Sequence, residues 1–125
     1  MHEKRIEIRW RDLDAYGHVN NAVFLTYLEE TRDEWLGELL GSDGGLVDYV
    51  VARVAIDFRH ELRQADGAVT VRIRTVRVGR SSLTLREEIV KGDGELAAEA
   101  ETVLVMRDRS TGRSRPLTEN ERSAL

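Results

Sequence analysis

The chain has 125 residues, with 19 basic and 23 acidic side chains for a net charge of −4, and its 41% apolar and 34% charged content suits one small globular domain. It has no cysteine, which excludes disulfides, thiolate metal sites and a cysteine nucleophile. The acidic balance argues against broad nucleic-acid binding, no apolar run approaches the roughly 20 residues that cross a bilayer, and residues 1–11 are polar rather than signal-like, so the cytoplasm is the expected compartment.

Residues 4–11 alternate apolar and charged side chains, with Ile6, Ile8 and Trp10 in phase, and this period of two predicts a half-exposed strand. Residues 12–21 hold Gly17 and paired asparagines without a hydrophobic period and read as a loop. From 22 to 40 the period turns helical. Phe24, Leu28, Trp35 and Leu39 share a stripe flanked by Tyr27, Leu36 and Leu40, while Glu29, Glu30, Asp33 and Glu34 fill much of the rest. Asn20 or Asn21 is the expected N-cap, because a short side-chain oxygen can accept a free N–H of the first turn. The glycine-rich stretch 41–45 ends the helix.

Everything after it reads as strand. Val50, Ala52, Val54, Ile56 and Phe58 alternate with Val51, Arg53, Ala55, Asp57 and Arg59. Beyond an Ala65-Asp66-Gly67 turn, Val69, Val71 and Ile73 give way to Val76 and Val78, a phase change that predicts a β-bulge. Residues 79–82 turn into a strand bearing Leu83, Leu85 and Ile89, Gly92-Asp93-Gly94 closes it, and Leu96, Ala98, Ala100, Leu104 and Met106 mark the last. The single proline, Pro116, leaves these long elements uninterrupted. The fold class is therefore α+β: one strand, one long helix, then a meander of four antiparallel strands. It forms a single domain over 1–125, whose polar, basic tail, 108–125, carries a short helix from Thr118. One sheet with one helix leaves its edges bare, and a homodimer joining two sheets edge to edge is the economical remedy.

The stretch with chemical content lies just before the helix. Asp14 precedes a capped helix start, where first-turn N–H groups are unpaired and the dipole is positive. Such a place can hold a developing oxyanion while the carboxylate acts as base or nucleophile. Aspartates before helices are more often caps or solvated loop residues. The Asp12-x-Asp14-x-x-Gly17 spacing imitates a calcium loop, but Tyr16 and Val23 occupy positions that need oxygen ligands. A phosphatase-type Asp-x-Asp would follow a buried apolar strand in a larger α/β domain, unlike the half-charged strand here.

The run Asp14-Ala-Tyr-Gly-His-Val-Asn-Asn21, followed by Phe24, Tyr27, Leu28, Glu29 and Arg32, resembles the signature of the 4-hydroxybenzoyl-CoA thioesterase-like family of hot-dog proteins. The Gly-His-Val-Asn-Asn segment is also similar to plant fatty acyl-carrier-protein thioesterases, and the similarity covers almost the whole chain. The resemblance implies a hot-dog fold, one long central helix wrapped by a five-stranded antiparallel sheet. It implies a homodimer or homotetramer with two active sites at the dimer interface. The implied reaction is hydrolysis of an acyl-CoA or acyl-carrier-protein thioester to acid and thiol, without metal or redox cofactor, coenzyme A entering as part of the substrate. Asp14 matches the catalytic carboxylate, Asn21 the helix-start position whose N–H meets the thioester carbonyl, and His18 a histidine of the plant catalytic set. Tyr16, Gly17 and Asn20 complete the substrate loop. Ile56-Asp-Phe-Arg-His-Glu61 resembles the plant segment with a catalytic glutamate, which maps to Glu61. The plant branch has an asparagine where this chain has Tyr16, so that network is incomplete here.

Plainer roles stand beside these. His18 can simply hydrogen-bond its loop, Asn20 and Asn21 cap the helix, Glu29 and Arg32 form an ion pair on one helix face, and Tyr27 and Trp35 are core. The turn Gly79-Arg80-Ser81-Ser82 resembles the family's segment near the pantetheine channel. Arg80, Arg107, Arg109 and Arg113 are candidates for nucleotide phosphates, since guanidinium binds oxygens in pairs, or else form a solvated basic edge. Two other functions on this fold are a hydratase, whose Asp-x-Asn-Pro-type stretch is absent here, and a non-catalytic acyl-CoA-binding regulator, against which the intact Asp14 and Asn21 count.

Overall fold

The computed structural model describes residues 1–41 and 47–125. In chain order these form β1 (His2–Glu7), α1 (Asn21–Leu40), β2 (Tyr49–Phe58), β3 (Ala68–Val78), β4 (Ser82–Lys91), β5 (Leu96–Met106) and α2 (Glu119–Ala124). Five strands make one antiparallel sheet in the order β1-β3-β4-β5-β2. Tight turns join β3 to β4 and β4 to β5, so these pair as neighbours, and β1 and β2 are left at the two edges. This is the α+β architecture that the chain order predicts. Among the described residues no helix is long and apolar enough to cross a membrane.

The helix packs on one face of the sheet. Phe24, Tyr27, Leu28 and Leu36 meet Val69, Val71 and Ile73 of β3, Leu83, Leu85 and Ile89 of β4, and Ala98, Ala100 and Leu104 of β5 in one buried cluster. Each such aliphatic side chain stabilises the fold by about 1.5–3 kcal/mol through burial. The bulge falls where the phase changes: register shifts between Thr75 and Arg77, and Val76 is left exposed.

Four expectations need correction. β1 stops at Glu7, because Asp12 folds back to accept the Arg9 N–H at 3.0 Å and the chain turns through a 3-10 segment at Trp10–Asp12; Trp10 is 77% exposed. The buried stripe of α1 includes Thr31 and Arg32, whereas Leu39 is exposed and Trp35 half-buried. Arg32 does not pair with Glu29 along the helix: its Nε donates to Glu87 of β4 at 2.8 Å, and Glu87 also accepts from Thr102 of β5, all three side chains being buried. β2 is mostly exposed on both faces, Val50, Val51 and Phe58 included, because no strand lies beyond it. Of the expected helix-ending stretch, Gly41 caps α1 through its N–H to the Gly37 carbonyl, while 42–45 lie outside the described residues.

The tail is tied down. Leu117 is buried and donates its N–H to the Arg80 carbonyl at 2.9 Å. Thr118 caps α2 in a reciprocal box with Glu121, and Arg122 reaches the Gly79 carbonyl at 2.9 Å.

Candidate active site

The loop between β1 and α1 is a closed finger. Its base is fastened where the Asn20 N–H donates to the Asp12 carbonyl at 3.0 Å, and Leu13 and Val19 bridge above. Higher still, the Asp14 N–H donates to the His18 carbonyl at 2.9 Å. Gly17 turns the tip with φ of 83°, a conformation that side chains with a Cβ adopt only with strain. The Val19 N–H donates to the Leu62 carbonyl at 2.7 Å, which fastens the finger to the segment after β2.

This arrangement brings three of the predicted catalytic residues together, with the predicted substrate-loop residue Tyr16 beside them. One oxygen of Asp14 accepts the Tyr16 N–H at 2.9 Å, and the other lies 3.4 Å from His18 Nδ1. The other nitrogen of His18 is 4.0 Å from Glu61. Glu61 is itself held by Arg63, at 3.0 and 2.8 Å. The imidazole thus sits between two carboxylates, with the exposed Tyr16 ring stacked on it at 6.1 Å.

Asn20 caps α1, its side-chain oxygen accepting the Ala22 N–H at 2.9 Å, and its carbonyl takes the Val23 N–H at 2.9 Å. That leaves the Asn21 N–H at the helix start without an acceptor among the described residues. Beside it is a hollow of about 190 Å³ lined by His18, Asn21, Phe24, Phe58, His60 and Glu61, among others. Phe24 and Phe58 meet edge to face at 5.2 Å and give it an apolar wall. Asp14 is not in the lining; it stands behind His18. The arrangement offers a carboxylate, an imidazole, an unpaired helix-start donor and an apolar surface within one small volume.

Gly79, Arg80, Ser81 and Ser82 lie elsewhere. The finger touches the chain just before β3, and β3 then runs 11 residues to Val78, about 35 Å at the usual strand rise. Within one chain this turn and His18 are therefore at opposite ends of the sheet. The turn is packed under the tail, with Arg80 exposed. Arg107 and Arg109 both face Asp48, at 2.9 and 3.7 Å, and border a cavity of about 500 Å³ at the start of β2, while Arg113 is exposed. No group of three or more His, Asp or Glu side chains among the described residues is arranged to hold a metal ion.

Two contributors are not evident from the sequence. Asp12 is 6% exposed and accepts the Tyr27 hydroxyl at 2.6 Å as well as the Arg9 N–H. Burial alone would raise its pKa, but the Tyr27 and Arg9 donors and the Arg9 charge outweigh that and hold it below the ordinary aspartate value. Burial pushes Tyr27 well above the ordinary phenol value, and the bond to Asp12 adds to it. A tyrosine on a buried helix stripe is the available signal, since its hydroxyl needs a partner. Phe58 is the other; in the sequence it is one more apolar residue at a strand end.

A family model described as "Thioesterase-like superfamily" matches residues 8–125. Among solved structures, the chain is similar to a thioesterase complexed with coenzyme A and Zn from Thermus thermophilus, at 38% identity and TM-score 0.87, covering 98% of this chain and 90% of that one. It is similar to a "predicted thioesterase" from Bacillus stearothermophilus at 28% identity and TM-score 0.86, covering 98% and 92%. It shares its fold with the protein SAV2348 from Staphylococcus aureus in complex with CoA, at 16% identity and TM-score 0.87, covering 98% and 79%. No curated protein matches significantly.

Proposed function

This chain belongs to the thioesterase-like superfamily, and from that premise we propose that it hydrolyses an acyl or aroyl thioester of coenzyme A, with Asp14 at the centre of the chemistry. The observation that carries the reading is that Asn21, whose N–H has no acceptor among the described residues, lines a hollow that His18 also lines, with Asp14 3.4 Å from that histidine. The thioester carbonyl oxygen sits at the helix start, where the N–H and the helix dipole stabilise the negative charge that develops on it. One such donor contributes about 3–4 kcal/mol to the transition state.

Asp14 acts as the base. Both of its oxygens are engaged, one by the Tyr16 N–H and one facing His18, which suits a proton acceptor better than an attacking group. A water oxygen bonds to the carbonyl carbon, its proton passes to Asp14 by way of His18, which lines the hollow, and the C–S bond breaks to leave the acid and the CoA thiolate. His18 holds the carboxylate, and Glu61 steadies the far side of the imidazole. Phe24 and Phe58 take the acyl group. Coenzyme A as the carrier is supported by the Thermus thermophilus relative, which was solved with it.

The working unit is a homodimer joined along β2. That edge is 10 residues long and exposes Val50, Val51 and Phe58, whereas the β1 edge is short and charged. Antiparallel pairing of two β2 strands covers the valines and sets the start of the partner's strand near the Phe58 end, where the hollow opens.

Thiol release tests the function. Wild-type protein is incubated with a panel of acyl- and aroyl-CoA esters and a thiol-reactive dye; release of free CoA with at least one ester is expected. Tight binding without release points to a regulator, and consumption of an enoyl-CoA without thiol to a hydratase; either result overturns the proposal.

A further inference from the structure

We infer that Asp12 and Tyr27 form a latch that holds the Asp14 finger against α1, which makes both of them positioning residues. Their effect on catalysis rests on the hydrolysis proposed above, whereas their effect on the order of the finger does not.

A carboxylate that is 6% exposed is costly to bury unless its oxygens are satisfied. Asp12 meets that need at Oδ2, from two directions. The Tyr27 hydroxyl, on a fully buried side chain of α1, donates to Oδ2 at 2.6 Å, and Arg9 donates to the same oxygen through its N–H at 3.0 Å and its Nε at 3.4 Å. The far end of Arg9 reaches Glu30 of α1 at 3.1 Å. The segment before the finger is thus fastened to the helix at two residues one turn apart. Asp12 also closes the finger itself, because its carbonyl accepts the Asn20 N–H. One residue therefore fixes the root of the loop, the N-cap and, two positions on, the carboxylate of Asp14.

The geometry matters because the base and the oxyanion donor sit on different segments. Asp14 rides on the finger and the Asn21 N–H belongs to the helix. Their separation is set by whatever joins finger to helix, and misplacement by about 1 Å is enough to slow such a reaction on the order of a hundredfold. Beyond the peptide link between Asn20 and Asn21, the unbroken route from Tyr27 through Asp12 to Asn20 is that join.

Amide hydrogen exchange on folded wild type, Tyr27→Phe, Asp12→Asn and Asp12→Ala tests the latch, with turnover measured on the same samples. Tyr27→Phe keeps the ring and removes the donor. The amides of Asp14, Gly17 and Asn20 should exchange about tenfold faster, as expected for the loss of a hydrogen bond to a charged group, while those of β4 and β5 keep wild-type protection. kcat should fall about tenfold with KM within about twofold, the pattern of a lost transition-state interaction. Asp12→Asn, which keeps an oxygen for Tyr27, should lie between wild type and Asp12→Ala, and it decides the matter should Tyr27→Phe fail to fold. Wild-type exchange of the finger in Tyr27→Phe, or loosening spread evenly over the sheet, overturns the latch. If wild type releases no thiol from any ester, the hydrolytic role fails while the exchange result still stands.

Discussion

Asp12 and Asp14 are separated by one leucine and differ in almost everything else. Among the described residues Asp14, on the finger, has only Tyr16 and His18 for polar company, whereas Asp12 is buried and accepts from Tyr27 and Arg9. Because the folded state holds Asp12 below the ordinary aspartate value, its charge contributes stability that is complete above the unfolded pKa, near 4, and is lost as pH falls through the lower folded value. Urea midpoints measured from neutral pH down to pH ~2.5 should therefore drop at the acid end, and Asp12→Asn should flatten part of that drop. An unchanged acid limb in the variant would remove Asp12 from the account. The sequence shows the Asp-x-Asp pair but not which member is buried. Only the position of Tyr27 seven residues into the helix decides that, because it brings a hydroxyl to Asp12 and none to Asp14.

Between elements, the join with most at stake is the Arg32–Glu87 pair, which couples α1 to the centre of the sheet. Breaking a buried pair from one side leaves an uncompensated charge, so Glu87→Gln should lower unfolding free energy by about 3 kcal/mol in urea titrations, and Arg32→Met with Glu87→Leu should restore most of it. Equal loss in the single and double variants would show that shape, not charge, holds the contact. Alternation in β4 and β5 and a cap at Asn20 or Asn21 can be read from the chain because they are local patterns, and the structure selects Asn20. The Arg32–Glu87 pair cannot. Glu87 stands at an inward slot on the otherwise apolar inner face of β4 and Arg32 on the inward stripe of a helix, yet they are 55 residues apart and only the fold matches them. Trp10 misleads for a related reason: it is in phase with Ile6 and Ile8, but Asp12 turns the chain before the phase can act.

For the molecule as a whole, the open edge at β2 is where structure and function meet. The alternation along β2 marks it as a strand but does not show that it lies at the edge of the sheet, which only the strand order does. Wild type should sediment at twice the 14.2 kDa chain mass. Val51→Glu, which places an unpaired charge against the partner's strand, should sediment as a monomer and lose at least about a hundredfold in kcat/KM with its fold intact. A monomeric wild type with full activity would contradict the shared site. The central claim, that one carboxylate beside a helix start drives hydrolysis, meets its most direct test in the rate of thiol release by Asp14→Ala on the best ester of the panel. The expected result is a fall on the order of 10³-fold, with circular dichroism and CoA affinity unchanged; release at the wild-type rate would contradict it.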